Sequence, residues 1–263
     1  MKLTVLVDNN SITDCYFLAE PALSFYIEEG GKKILFDAGY SDVFIKNAKT
    51  LGVDLCALDY VVLSHGHLDH TWGLGPLIEL YNKNKFKRPV LLAHPEAFEK
   101  KKYKGAQIGI RHSVKTLEEY FDVRPCASPV RITKKLIFLG GILRQNNFEA
   151  QTPIDKDFVY DDTSLVFKGK NGLTVITACA HAGICNTAEQ AKIVCNTEKI
   201  ENIIGGLHLL KPSEKQLKNT VAYLKKQKLK MLYPCHCVDL KSKIALADAA
   251  PLGEAGAGMK IKF

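Results

Sequence analysis

Short apolar runs recur along the chain and set its rhythm. Leu3–Val7, Leu23–Glu28, Lys33–Phe36, Tyr60–Leu63 and Pro89–Ala93 are rich in Val, Ile, Leu, Phe or Tyr, which predicts strands. The same signal returns at Leu136–Leu139, Ser164–Lys168, Leu173–Thr177, Asn202–Ile204 and Met231–Tyr233, with a last short strand over Met259–Phe263. Glu29-Gly30-Gly31-Lys32 reads as a hairpin turn, and so does Lys168–Gly172, with Asn171-Gly172 at its tip. Between strands the spacing becomes helical. Ser41–Leu51 is apolar at Val43, Phe44, Ala48 and Leu51, and Gly52 follows as a stop. Thr187–Lys199 is a second helix. Ser213–Gln227 is a third, opening on Ser-Glu-Lys-Gln, a capping-box pattern, after Pro212. Hairpins combined with strand–helix alternation predict an α/β protein with mixed sheets. Ala127–Gln151 is the least legible stretch, and the Gly/Ala-rich Ala249–Gly258 reads as loose.

Composition narrows the function classes. The chain has 263 residues, 46% apolar and 24% charged, ordinary for a soluble globular protein and long enough to bury a sizeable core. It is read as a single domain over 1–263. Nothing approaches the ~18–20 uninterrupted apolar residues of a spanning helix, so no membrane partner is expected. The opening MKLTVLVDNNSITD reads as a strand and not as a signal peptide. Lys plus Arg is 36 against 28 acidic residues, a net charge of +8. That favours an anionic small-molecule substrate without demanding nucleic acid, for which no aromatic-interleaved basic stripe exists. The Lys-rich stretches Lys83–Lys104 and Lys211–Lys230 read as solvated faces. None of the eight Cys forms a C-x-x-C pair, which argues against zinc ribbons and thioredoxin-like chemistry. With no export signal, a cytoplasmic location and reduced thiols are expected. Most are read as small buried hydrophobes, but Cys179, Cys235 and Cys237 stand out by their neighbours. Dinucleotide, P-loop, kinase and G-x-S-x-G signatures are missing.

The informative segment is Tyr60-Val-Val-Leu-Ser-His65-Gly-His67-Leu-Asp69-His70. Chance would place H-x-H-x-D-H in roughly 4 of 10,000 chains of this composition. Imidazoles at i and i+2 of an extended segment project to one side. Asp69 and His70 follow a turn and face a second point, about one metal–metal spacing or ~3.5 Å away. Gly66 relieves crowding at that turn. Such N and O donors suit Zn²⁺, and also Fe or Mn.

With this motif the chain resembles the metallo-β-lactamase superfamily from end to end. The hairpin LSFYIEEGGKKILFDAG looks like that family's first strands. The segments DNNS, TACAHAGICN, GGLHLL and YPCHC resemble the branch that includes an archaeal methanopterin-pathway enzyme, which joins a dihydropterin to a ribofuranosylaminobenzene phosphate. The resemblance implies a four-layer αβ/βα sandwich holding two divalent metal ions. It places His65, His67, Asp69 and His70 among the ligands. It makes Asp37 a hydrogen-bonding support for them. The remaining ligands come from later strand ends. The family's bridging Asp lies close to Cys179, where no Asp stands, so Cys179 or His181 takes its place. A His that the family carries before this strand has no clear equivalent, and Asp161 and Asp162 are the nearest polar residues. The family's final His is His208 or His236. Cys235 and Cys237 flank His236 and are expected to pack. His94 reads as a helix-start or substrate-pocket residue, and His112 beside Arg111 is a weaker contact for an anion.

Two metals so held lower the pKa of a water between them toward ~7, and the resulting hydroxide attacks carbon or phosphorus. Asp69 ligates one metal and orients the nucleophile. The expected activity is therefore a metal-dependent hydrolase on a small anionic, phosphate-bearing substrate. Two rivals stand beside it: the pterin-joining transferase of the resembling branch, and a non-catalytic metal-binding protein.

Overall fold

The computed structural model describes residues 1–150, 153 and 157–263. The chain divides into two compact units, Met1–Ala127 with Ala255–Phe263, and Ser128–Glu254.

The first unit is built on a seven-stranded sheet. Its strands are β1 (Lys2–Val7), β2 (Ser24–Glu29), β3 (Lys32–Phe36), β4 (Tyr60–Val62), β5 (Val90–Ala93) and, after a small ribbon of β6 (Lys102–Tyr103) and β7 (Ala106–Gln107), β8 (Asp122–Pro125). The C-terminal strand Lys260–Lys262 pairs with β1 at the outer edge. β1, β2 and β3 are antiparallel, whereas β3, β4, β5 and β8 are parallel. Gly30 and Gly31 both take positive φ, 57° and 76°, the conformation a two-residue hairpin requires, and Glu29 pairs with Lys32 across it. Phe36, Val62 and Leu92 lie in register. The loops after these three strands therefore leave the sheet along one edge.

Four helices accompany this sheet: α1 (Val43–Leu51), α2 (Leu68–Thr71), α3 (Leu74–Lys83) and α4 (Val114–Leu117). Phe44 and Ala48 of α1 and Leu74, Leu77 and Tyr81 of α3 join Leu35, Val61 and Leu91 in one core. Each such buried Leu or Phe contributes about 1.5–3 kcal/mol. The sequence pattern does not reveal α3, because Leu74-Gly75-Pro76 looks like a turn. Pro76 sits in the first helical turn, where the missing N–H would have no intrahelical partner, so the helix tolerates it.

The second unit holds a six-stranded sheet in the order β14-β13-β12-β11-β10-β9. Its strands are β9 (Val130–Arg131), β10 (Leu136–Phe138), β11 (Ser164–Lys168), β12 (Leu173–Thr177), β13 (Ile200–Gly206) and β14 (Met231–Cys235). β12, β13 and β14 are parallel, with Thr177 beside Gly205 and Gly205 beside Pro234. Gly205 has φ +129°, and a Cβ there would overlap the Thr177 carbonyl; one at Gly206 would overlap the Ala178 carbonyl. The Gly205-Gly206 doublet is thus a point of close strand approach, not a turn.

Among the described residues, three α-helices complete this unit: α5 (Ile184–Cys195), α6 (Glu214–Gln227) and α7 (Leu240–Leu246). α5 begins and ends earlier than its apolar pattern suggests, because Asn196 adopts the left-handed conformation and caps it. Ser213 Oγ accepts the Gln216 N–H at 3.1 Å, as the capping pattern predicts. The poorly legible 127–151 contains β9 and β10, while Gln151 lies outside the described residues. Residues 249–258, expected to be loose, are fastened. Leu232 N–H donates to Pro251 O at 2.9 Å, Gly253 N–H to Leu232 O at 2.8 Å, and, in the first unit, Ala257 N–H to Asn10 O at 2.8 Å. Among the described residues no helix is long and apolar enough to cross a membrane.

Candidate metal centre

In the first unit, Asp37, Ser64, His65, His67, Asp69 and His70 gather where β3 and β4 end. Asp37 follows β3 in the left-handed region, φ 61°, a conformation that Asp tolerates better than most residues and that its surroundings fix. Those surroundings are explicit. Asp37 N–H donates to Val62 O at 2.8 Å, and its carbonyl accepts from Ser24 Oγ at 2.8 Å. Its fully buried carboxylate accepts the Ser64 N–H and the Ser64 O–H, each at 2.7 Å. His70 Nδ1 lies 2.7 Å from the same Oδ2.

These bonds dictate which ring nitrogens carry lone pairs. His70 donates its Nδ1–H to Asp37, so its Nε2 is the bare nitrogen. The Ser64 hydroxyl donates to Asp37, so its oxygen accepts from His65 Nδ1 at 2.9 Å. That leaves the lone pair on His65 Nε2, which faces His67 Nδ1 at 3.0 Å. A tetrahedral zinc ion with Zn–N bonds of ~2.0–2.1 Å has edges of ~3.3 Å. The two imidazoles are therefore spaced much as neighbours on one ion. The His65 and His70 rings lie 4.3 Å apart, and His70 Nε2 is 3.6 Å from Asp69 Oδ2. Gly66 is needed because a Cβ there would sit 2.6 Å from the Ala97 carbonyl.

His94 starts a short helical turn, its Nδ1 accepting the Glu96 N–H at 3.3 Å. Arg111 lies over the Trp72 ring, 3.2 Å from its centroid. His112 is half-buried; burial, and then the Arg111 charge, lower its pKa.

In the second unit a different cluster forms beyond the aligned ends of β12, β13 and β14. Cys179 and His181 follow β12, His208 follows β13, and His236 and Cys237 follow β14. Ala180, His208 and His236 all take positive φ, 43°, 50° and 49°, so the chain turns sharply at each strand end. Cys179 Sγ lies 3.0 Å from Cys237 Sγ and 3.5 Å from His208 Nδ1. Cys237 Sγ also accepts the His208 N–H at 3.1 Å. The His181 and His208 rings are 4.1 Å apart. Two triads result, Cys179–His181–His208 and Cys179–His236–Cys237, each with its ligand atoms within 4.8 Å of one another. Burial pushes the Cys237 thiol up, but hydrogen bonds from Cys179 and His208 and the charges of His236 and His208 outweigh it. Its pKa falls well below the ordinary thiol value.

Cys237, which the sequence reading expected to pack, stands among the residues that could hold a metal ion. The expectation that it merely packs rested on an extended Cys235-His236-Cys237 segment, and the left-handed turn at His236 removes that geometry. Cys235 is the last residue of β14 and fully buried. Asp162 belongs to neither triad. Its Oδ2 accepts the Ala182 N–H at 2.7 Å, and its Oδ1 has no hydrogen-bond partner among the described residues. Burial raises its pKa to about 7, against the opposing pull of the Ala182 N–H. Asp161 beside it is likewise buried, and both precede β11.

The loop that carries His181 is held from outside. Glu149 is buried and caps α5, accepting from Cys185 N at 3.0 Å and Asn186 N at 3.1 Å. The capping position itself is Gly183, where a Cβ would overlap Glu149. Asn186 donates to Ala182 O at 2.8 Å and accepts from Gln145 N and Asn146 N at 2.9 and 3.2 Å. A cavity of about 490 Å³ opens in this unit, lined by His181, His208, Phe148, Phe158, Lys211 and Lys215 among others.

Comparison with known proteins gives a consistent picture. The family profile of the metallo-β-lactamase superfamily matches residues 19–236. An uncharacterized protein of Methanocaldococcus jannaschii is 33% identical over 254 residues, covering 94% of each chain. From the same organism, 7,8-dihydropterin-6-methyl-4-(β-D-ribofuranosyl)-aminobenzene-5′-phosphate synthase is 27% identical, covering 92% of this chain and 89% of its own. The crystal structure of a metal-dependent hydrolase of the β-lactamase superfamily matches with TM-score 0.85 at 28% identity, covering 100% of this chain and 99% of that one. A diphosphatase of the PhnP family matches with TM-score 0.62 at 18% identity, covering 100% and 97%, and shares the fold. With the mixed-sheet fold and a profile match over most of its length, this chain belongs to the metallo-β-lactamase superfamily.

Proposed function

We propose that the protein is a metal-dependent hydrolase of a small anionic, phosphate-bearing substrate. Its divalent metals are held by His65, His67, Asp69 and His70 in the first unit and by donors among Cys179, His181, His208 and His236 in the second. The observation that carries this reading is the facing pair of His65 Nε2 and His67 Nδ1 at 3.0 Å, in a network rooted in Asp37. The 28% identity to a metal-dependent hydrolase over the whole chain supports it. In its finer form, the enzyme is cytoplasmic and its cofactor is a pair of zinc ions.

Bound divalent metal supplies a Lewis acid and lowers the pKa of a water toward neutrality. The chain's own residues do the rest. Asp37 holds the proton on His70 Nδ1 and Ser64 the one on His65 Nδ1, so each ring keeps its other nitrogen available. Asp69 ligates and orients the nucleophile. Lys211 and Lys215 line the cavity beside His181 and His208 and draw an anion toward it.

The test is chelation of the purified chain and assay on phosphomonoesters, phosphodiesters, diphosphates and lactones, with metal add-back. Hydrolysis should vanish on stripping and return with zinc, and H65A/H67A should lower it at least ~100-fold. Turnover indifferent to both operations defeats the reading.

A second reading has one observation in its favour, the 27% identity to the dihydropterin-joining synthase. Incubation with a dihydropterin diphosphate and a ribofuranosylaminobenzene phosphate separates the two. A condensed product with diphosphate released, and no hydrolysis of the phosphoesters, selects the transferase.

A further inference from the structure

We infer that the second unit binds its cation through two thiolates, Cys179 and Cys237, with His236 as the third protein ligand. The site is therefore one for a thiophilic divalent cation such as Zn²⁺, Co²⁺ or Cd²⁺, and not for Mg²⁺ or Ca²⁺. This rests on the reading of the chain as a metal-dependent protein and goes beyond it by naming the sulfur donors and the selectivity they impose.

The argument starts from space. Both sulfurs are buried, Cys179 at 4% exposure and Cys237 at 5%, and His236 is at 7%. Neither sulfur is in a disulfide: their 3.0 Å separation is far beyond an S–S bond of ~2.05 Å. An ion with Zn–S bonds of ~2.3 Å spans two sulfurs ~3.8 Å apart, so an entering cation has to spread this pair by about 0.8 Å, and the three donor atoms already lie within 4.8 Å of one another.

Room for Cys237 is itself built in, because a Cβ at Gly206 would stand 2.8 Å from its Sγ. The surroundings are those of a thiolate and not of a packed hydrophobe. The His208 N–H points at Cys237 Sγ at 3.1 Å, a donor of the kind that orients and tunes a metal-bound sulfur. The left-handed turns at His208 and His236 bring these groups together at the cost of backbone strain.

Charge and donor softness complete the case. A divalent cation and two thiolates sum to zero with a neutral imidazole, which removes the penalty of an unpaired buried charge. As its M–S bond forms, each sulfur that still carries a proton gives up its S–H proton to solvent. Sulfur donors select against hard oxygen-seeking cations.

The experiment loads the chelator-stripped full-length chain with Co²⁺ and records its absorption spectrum beside its cobalt content. The expected result is an intense near-ultraviolet sulfur-to-cobalt charge-transfer band, unaffected by excess Mg²⁺. The band should fall roughly twofold in Cys237→Ser and in Cys179→Ser, and persist in Cys235→Ser, whose sulfur is buried but outside the triad. Cobalt bound without the band, or a full band in Cys237→Ser, overturns this inference and leaves the metal-dependent reading standing. Failure to retain cobalt or zinc overturns both. Should the serine variants not fold, X-ray absorption of the zinc-loaded wild type decides: sulfur scattering supports two thiolates, and a purely nitrogen and oxygen shell overturns them.

Discussion

The two candidate donor clusters are assembled by opposite routes. In the first unit the donors sit within six residues, on one loop and one short helical turn, and their precision comes from a single buried carboxylate. Asp37 reaches His70 directly and His65 through Ser64. In the second unit no two of the three strand-end loops are close in sequence, and Cys179 meets Cys237 across 58 positions. What aligns them is the parallel register of β12, β13 and β14, which glycine makes possible. A local motif needs a local support; a dispersed one needs a sheet with no slack.

The largest effect should come from the sheet. Gly205→Ala adds a methyl against the Thr177 carbonyl at a φ disfavoured for Ala. It should cost more than about 4 kcal/mol, or roughly 10 °C in melting temperature. Calorimetry showing an unchanged melting temperature would break the claim that register assembles the second cluster.

Asn186→Ala strips the bonds that hold the His181 loop and leaves the N–H groups of Gln145 and Asn146 without their acceptor. About 2–3 kcal/mol should be lost in urea unfolding. The variant should still unfold cooperatively, since the strand register is untouched.

Asp37→Asn tests the other side of the comparison. Metal affinity of the first cluster should fall about 10–100-fold by equilibrium dialysis. The cobalt–sulfur band should stay, and losing it in step would show that the clusters do not have separate supports.

The smallest effect concerns a surface ion pair. Asp59 is desolvated, which raises its pKa, but Lys87, the Lys33 N–H and Lys32 outweigh this and lower it. A depressed carboxylate stabilises the fold above its unfolded pKa and ceases to do so as pH falls through its folded pKa. Asp59→Asn should therefore cost up to about 1 kcal/mol at neutral pH. The difference from wild type should fade in acid, as the pH falls through the depressed pKa of folded Asp59. A difference that grows in acid has the wrong sign.

Much of this molecule was legible before folding. The strand runs, the Gly30-Gly31 hairpin and the Ser213 cap depend on neighbours a few residues away, and each appears where the pattern puts it. Helix α3 hid behind Gly75-Pro76 because a proline in a first helical turn reads like one in a loop. Glu149 escaped notice because a helix is usually capped by its own first residue, and here Gly183 cannot do so. Residues 249–258 read as loose from their small side chains, yet their backbone is bonded to β14 and to the Asn10 loop.

By itself the sequence pointed to the superfamily and to the first candidate donor set, because H-x-H-x-D-H gathers its side chains within one turn of chain. It could not decide between Cys179 and His181, or between His208 and His236, and it cast Cys237 as packing. Only the tertiary structure brought all five into one cluster. Their proximity is a property of strand register and of three left-handed turns, and neither leaves a mark in the spacing of residues along the chain.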